Sequence, residues 1–457
     1  MIYPITVTLL LGAGFAACVL AQRRDLAPSL PTALAAGVAL RVTAWYLAAA
    51  QSWEPFDFKY DFPAAAAAVL HHHDPMLSAR ARGWPFLPTM AYVLATELKL
   101  GQITHLPWRV VGRLAPVLAD LLLIPLVGML ARRRGPLRRF QYACNPIAVM
   151  VCAIHGQLEP EVLALGVGAL LVARSSRRRA GARWGAGAAV GERAGERVAV
   201  GVGERAGARV AVGAGERAGR AGAAVGAGAL LGLSVAIGTW SLLLMPGVLM
   251  ALPDWRQRAR AICATAAVPA LALLTSPLTV ATPIARLPDV ARGVISVRPV
   301  VGTWGWTALV TGGKLELQPT LGRVGTVLLV AGLLVAGYLW RRADPVVLTS
   351  ALLLVFLLVS PRFGAQYLLW PIPFLLARPT RYTQHAIAAA SVWAGFGYLF
   401  LGRQFTWLHD TVWYLGSWCV IPLLALALPW AWRSGAAKPS QRPAEEQAAP
   451  EVVTRPG

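Results

Sequence analysis

Two carboxylates stand where this chain could do chemistry. Asp57 and Asp61 lie four residues apart in the run FDFKYDF, just after a long apolar stretch. Carboxylates are costly beside hydrocarbon, so an acid at a membrane boundary is a functional candidate by default. An ionised Asp placed there can take a proton from a hydroxyl as a general base. Asp57 is the first choice for that base; its plain alternative is a solvated loop acid or a helix cap. Asp61 follows about one helical turn later. Pro63 sits just after it at a first-turn position, so helix capping competes with substrate orientation or with Asp61 being the base itself.

Other polar residues stand out against apolar surroundings. His155, Gln157 and Glu159 fall in HGQLEPE, a hairpin between two apolar stretches. Polar groups at that depth must be hydrogen-bonded, either to a substrate or within a satisfied turn. Arg113 and Arg362 lie near span ends, where a cationic head group could meet a phosphate. Arg113 has an alternative partner in Asp120, two turns along the same helix face. Arg298 is a further cation in a long loop. Gln366 and Tyr367 lie beside Trp370, where core packing competes with lipid-phosphate or sugar contact. His71, His72, His73 and Asp74 could suggest a metal. Consecutive residues on a short helix point different ways, so one ion cannot easily take all three imidazoles, and neither a metal nor a cofactor is expected.

These residues must be positioned by a largely apolar scaffold. Of 457 residues, 56% are hydrophobic and 14% charged, against roughly 25% charged in soluble domains. Mean hydropathy is +0.56. The net charge of +22 would suit nucleic acid, but the arginines cluster in gaps between apolar stretches, as in cytoplasmic loops, and a nucleic-acid partner is rejected. The five cysteines lie in apolar segments with no zinc-like spacing, and read as small packed side chains. Heavy use of Ala, Arg and Gly with little Lys suits a GC-rich genome, an actinobacterial one for instance.

The expected architecture is an all-α polytopic bundle of about 11–13 spans. Residues 1–173 form an N-terminal transmembrane part whose loop 51–110 faces outward. Residues 174–222 form a low-complexity cytoplasmic insert, with GER recurring at 191, 203 and 215. Its Gly content opposes a stable helix, so it reads as flexible. Residues 223–433 form a C-terminal transmembrane part, and 434–457 a disordered cytoplasmic tail. Basic gaps after residues 22, 131, 173, 255, 340 and 377 share the cytoplasmic side. Loops 51–110, 282–322 and 401–411 then face outward, with Trp53, Trp84, Trp108, Trp304, Trp306 and Trp407 at interface positions. In the first loop, Pro63 and the alanine run predict one short juxtamembrane helix, and WPFLP begins a second.

Several motifs, in order, resemble the GT-C superfamily of integral-membrane glycosyltransferases. Asp57, the aromatic and alanine run and the DP at 74–75 resemble its first-loop acidic motif; WPFLP at 84–88 resembles its aromatic-proline motif. GRLAPVLADLLL at 112–123 and NPIAVMVCAIHGQLEPE at 145–161 are similar to segments of lipid-linked glucosyl- and mannosyltransferases. SPRFGAQYLLWPIPFL at 360–375 resembles a late-span signature of bacterial mannosyltransferases. The resemblance runs over residues 52–378. One departure is IGTWSLLLMP, where many relatives carry a Lys and this chain has Gly238, Thr239 and Trp240.

The resemblance implies an inverting transferase, moving a sugar, mannose by analogy, from a polyprenyl-phosphate donor to a lipid, glycan or protein acceptor. It would work at the extracytoplasmic face of the plasma membrane. The phosphate leaving group departs readily, so one base suffices, unlike the two carboxylates of glycoside hydrolysis. Asp57 takes that role, with Asp61, His155, Gln157 and Glu159 orienting acceptor or sugar. Arg362, Arg113, Gln366 and Tyr367 serve the donor phosphate. The alternative is a lipid or glycolipid transporter or flippase. Transporters often show two related halves, and no such repeat is visible here.

Overall fold

Long apolar runs become helices because a helix satisfies every backbone hydrogen bond within itself, which hydrocarbon demands. A computed structural model describes residues 2–51, 53–77, 86–193, 221–295, 300–401 and 410–431. Trp84, Arg298, Trp407, the repeat at 194–220 and the tail after Arg433 lie outside the described residues. The chain opens with α1 (Ile2–Arg23) and α2 (Leu30–Ala49). Ser29 caps α2 by accepting the Thr32 N–H. A π-helical turn at Asp57–Asp61 runs directly into α3 (Phe62–Leu70), and α4 (Pro88–Thr104) packs against it. These are the two short helices expected in the first loop.

A short α5 (Trp108–Val111) leads into α6 (Leu114–Leu130), then α7 (Gly135–Ala143) and α8 (Pro146–Val149). The apolar stretch at 140–155 is not one helix. Asn145 stops it and restarts it as a cap, accepting the Ala148 N–H ahead of Pro146. A second π-turn, Met150–His155, ends it. Then come α9 (Glu159–Arg193), α10 (Ala221–Ile237), α11 (Met245–Ala251) and α12 (Trp255–Thr279). The remainder comprises α13 (Leu287–Ile295), α14 (Gly305–Val310), α15 (Pro319–Leu339), α16 (Pro345–Val359), α17 (Ile372–Ala377), α18 (Thr383–Leu399), α19 (Asp410–Gly416) and α20 (Ile421–Leu426). One two-residue antiparallel pair, Val300–Val301 with Glu316–Leu317, is the sheet among the described residues.

Five helices are long and apolar enough to cross a membrane: α1, α2, the α5–α6 stretch, α12 and α15. The expected span at 160–173 lies within the longer α9, and most of the others are shorter or broken, with prolines at breaks such as Pro246, Pro371 and Pro422. Against the 11–13 spans expected, five helices among the described residues reach spanning length, with shorter apolar ones beside them. Only 17% of the most apolar windows of α12 and α15 is buried, leaving Leu271, Leu274, Leu278, Val327 and Leu334 on the periphery. Apolar surface of that extent suits contact with lipid or with another apolar surface. Gly228 and Gly232 let α10 approach the backbone of α12 at Ala261 and Thr265, the close small-residue packing of membrane helices.

Inside lies a core around α16 and α8. It holds one fully buried charge network: Arg41 Nε donates to Asp120 Oδ2 at 2.6 Å, Arg41 Nη1 to Ala143 O at 2.7 Å, and Tyr142 to the other Asp120 oxygen. Asp120 thus pairs with Arg41 of α2 and not with Arg113, because Arg113 turns the other way. Three further expectations change. Helix α9 carries straight through the first part of the Gly-containing insert to Arg193, where alanines and arginines favour helix. Trp304 is 1% exposed and donates to Leu357 O, so it is core and not interface. Cys263 and Cys419 are exposed, whereas Cys18, Cys144 and Cys152 are packed inside.

The basic gaps meet at one end. Arg132 pairs with Asp344 at 3.0 Å and Arg378 with the same acid at 3.7 Å; Arg134 pairs with Asp25 at 3.2 Å. Arg174 donates to Leu130 O and Arg139 to Pro28 O. Helix α2 runs from this end to the Asp57 end, about 30 Å away for 20 residues.

Candidate active site

Both π-turns deliver a site residue. Each squeezes an extra residue into a helical turn, which re-aims side chains. In the first, the turn carrying Asp57 is anchored by Phe58, which is fully buried between Trp108 and the Arg113 guanidinium, 4.0 Å from its ring. Trp108 Nε1 also donates to Phe58 O at 2.8 Å. The second turn ends at His155, and Gly156 follows with φ +81°. That left-handed residue folds the chain back so that Gln157 reaches Asp57. A Cβ at Gly156 would stand 2.5 Å from the Phe58 ring, so glycine is needed for space as well as for conformation.

Asp57 is the hub. Its Oδ1 accepts from His155 Nε2 at 2.9 Å and from the Phe58 N–H at 2.8 Å, and its Oδ2 accepts from Gln157. The Tyr398 hydroxyl lies 2.9 Å from His155 Nδ1. With the Asp57 carboxylate on Nε2, that nitrogen carries a proton and donates it, and the Tyr398 hydroxyl partners the other ring nitrogen. Burial opposes ionisation of Asp57, but His155, the Phe58 N–H and Gln157 together outweigh it and hold the carboxyl below its usual range.

Glu159 begins α9, is 8% exposed, and lies within electrostatic reach of Asp57, Tyr367 and Tyr398. Arg362 lies in the segment between α16 and α17, within reach of Tyr367. Tyr367 packs on Trp370, which also stacks on Trp240 with centroids 3.8 Å apart. Gln366 sits against Gly364 in the same segment. Arg113 is 1% exposed; it donates to Ile154 O and Arg109 O and lies 3.7 Å from Glu54. Its head group is thereby turned to the protein's own carbonyls, where it clamps the two π-turns together. Asp61 makes no capping hydrogen bond, because the π-turn passes into α3 without a break. His72 Nδ1 lies 3.3 Å from Thr279 O, and Asp74 takes the Met76 N–H and the Thr282 hydroxyl, which tie the first loop to α12.

A cavity of about 440 Å³ opens above Asp57 and His155. Trp53, Pro55 and Phe56 line it, together with Tyr398 and with Asp410, Trp413 and Tyr414 of α19. Sequence reasoning missed Tyr398 and the α19 residues. Tyr398 carries no signal, being one aromatic in an apolar helix. Asp410 had one: WLHDTVWYL repeats the acid-among-aromatics composition of FDFKYDF.

Fold and site together define a helical protein with spanning-length apolar helices and an acid-centred cavity toward one end. No protein-family model matches the chain, and no curated protein matches it.

Proposed function

We propose that the chain is an inverting membrane glycosyltransferase that uses a polyprenyl-phosphate sugar, mannose by analogy, at the extracytoplasmic face. One observation carries the reading: the Asp57 carboxyl, gripped by His155 and Gln157, lines a cavity at the end opposite the basic loops. The acceptor hydroxyl oxygen attacks the anomeric carbon. Asp57 takes the hydroxyl proton, the carbon–oxygen bond to phosphate breaks, and the lipid phosphate leaves with the electron pair. A carboxylate held this firmly is a modest base. It suits a reaction in which the proton moves late, after the leaving group has begun to depart.

His155 and Gln157 are positioning residues: they fix the Asp57 carboxylate and leave its remaining lone pairs to the acceptor. Arg362 supplies the cation for the departing phosphate, with Tyr367 and Gln366 beside it. Arg113 serves the site from behind, through Ile154 and Phe58.

The test uses membranes carrying the full chain, incubated with radiolabelled polyprenyl-phosphate mannose, arabinose or glucose. Transfer of label to an envelope product from one donor, absent with Asp57→Asn, is the expected result. Label that stays wholly on the donor in all three incubations overturns the reading.

A further inference from the structure

The part of the cavity lining that α19 supplies is held rigidly. Trp413 is locked in place: its indole N–H donates to Trp393 O and the Trp393 indole N–H returns the bond to Trp413 O, each at 2.9 Å. The two rings stack at 4.4 Å and 10°. Gly397 lies so close that any Cβ there would strike the Trp413 ring. Tyr414 leans on Trp413 with centroids 5.3 Å apart. Asp410, one turn earlier on α19, is exposed and makes no ion pair among the described residues. A fixed aromatic surface thus lies beside an available carboxylate in the cavity that Asp57 also lines.

Charge decides what such a cavity accepts. Among the described residues, the charged side chains that line it are two carboxylates, Asp57 and Asp410. A phosphate or any anionic group would be repelled by both. A neutral sugar ring suits it: hydroxyls donate to carboxylates in short, charge-assisted bonds, and the C–H face rests on aromatic rings. A volume near 440 Å³ is within the roughly 300–1,000 Å³ range of small-ligand sites.

We propose that α19 forms the acceptor subsite, selecting an uncharged glycosyl or polyol acceptor through Asp410, Trp413 and Tyr414. The role as acceptor subsite rests on the transferase reading; the preference for neutral sugar over phosphate does not. The donor phosphate then lies outside this cavity, toward Arg362.

The experiment uses the full chain in lipid nanodiscs. Intrinsic tryptophan fluorescence is titrated with methyl α-D-mannopyranoside and, separately, with inorganic phosphate. A saturable change with the glycoside and none with phosphate is expected. Asp410→Asn, an exposed substitution that keeps the side-chain shape, weakens the glycoside response about tenfold by removing charge assistance. In the transfer assay the same variant raises the acceptor KM about tenfold and leaves donor KM and kcat within a few-fold. No saturable glycoside response in the wild-type chain, or an unchanged response in Asp410→Asn, overturns the subsite, as does a phosphate response that Asp410→Asn strengthens. Absence of transfer from every donor defeats the transferase reading alone, because the glycoside titration still judges the cavity.

Discussion

At the scale of single residues, Asp57 is defined by what holds it. Burial pushes its carboxyl toward the neutral form, and the bonds from His155, Phe58 N–H and Gln157 pull it back further than burial pushes. The ionised form therefore persists to lower pH than for an ordinary carboxylate. Transfer should stay level as pH falls through the usual carboxylate range and decline only below it, as a pH–rate profile of kcat/KM would read. Asp57→Asn should lower the rate by about 10²–10⁴ while lipid-donor binding persists. His155→Gln removes the imidazole and its link to Tyr398 while keeping a polar side chain. Its acid limb should move to higher pH, since less then stabilises the Asp57 anion. A merely structural role for His155 would lower the rate without moving that limb.

Among the elements, the contact of α4 with α6 is held by one unusual residue. Glu97 is 4% exposed, and its Oε1 accepts the Ala115 N–H at 2.7 Å, in the first turn of α6. Helix N-termini favour an anion, but burial dominates here and pushes the Glu97 carboxyl up to about 8. Its folded value lies above the unfolded one. The folded state is thus penalised increasingly as pH rises from the ordinary carboxylate range toward about 8. Glu97→Gln keeps an acceptor for Ala115 and cannot ionise. Its Tm relative to wild type should rise between pH 5 and pH 9, and a constant or falling difference would show Glu97 to be bound as the anion. The two first-loop helices themselves were legible, because Pro63, the alanine run and Pro88 mark their starts. The π-turns were not: a one-residue bulge leaves no periodicity to detect, and it forms because Phe58 and Gly156 must interlock across 98 residues of sequence.

For the whole molecule, one end gathers Arg132, Arg134, Arg174, Arg378 and their acids, and the other carries Asp57 and Asp410. The positive-inside rule predicts that the first end faces the cytoplasm. Lys59 and Arg133 are exposed at opposite ends. With exposed Cys263 and Cys419 replaced, Lys59→Cys should react with a membrane-impermeant maleimide in intact cells, and Arg133→Cys only after permeabilisation. Labelling of both in intact cells would invalidate the topology.

What the sequence determined by itself was local or additive. Apolar run length set where helices of spanning length form, as in α1, α2, α12 and α15, because hydrocarbon leaves the backbone no other partner. Acid among aromatics marked Asp57, and the hairpin composition marked His155, Gln157 and Glu159. What only the tertiary structure decided was partnership. Arg113 and Asp120 share a helix face by spacing, yet Arg41 reaches Asp120 from α2 while Arg113 clamps Ile154 and Phe58. Tyr398 joins His155 from 243 residues away, and Trp413 is fixed by Trp393 across a helix boundary. Such pairings depend on how helices pack and rotate against one another, and the spacing of residues along one chain holds no record of that.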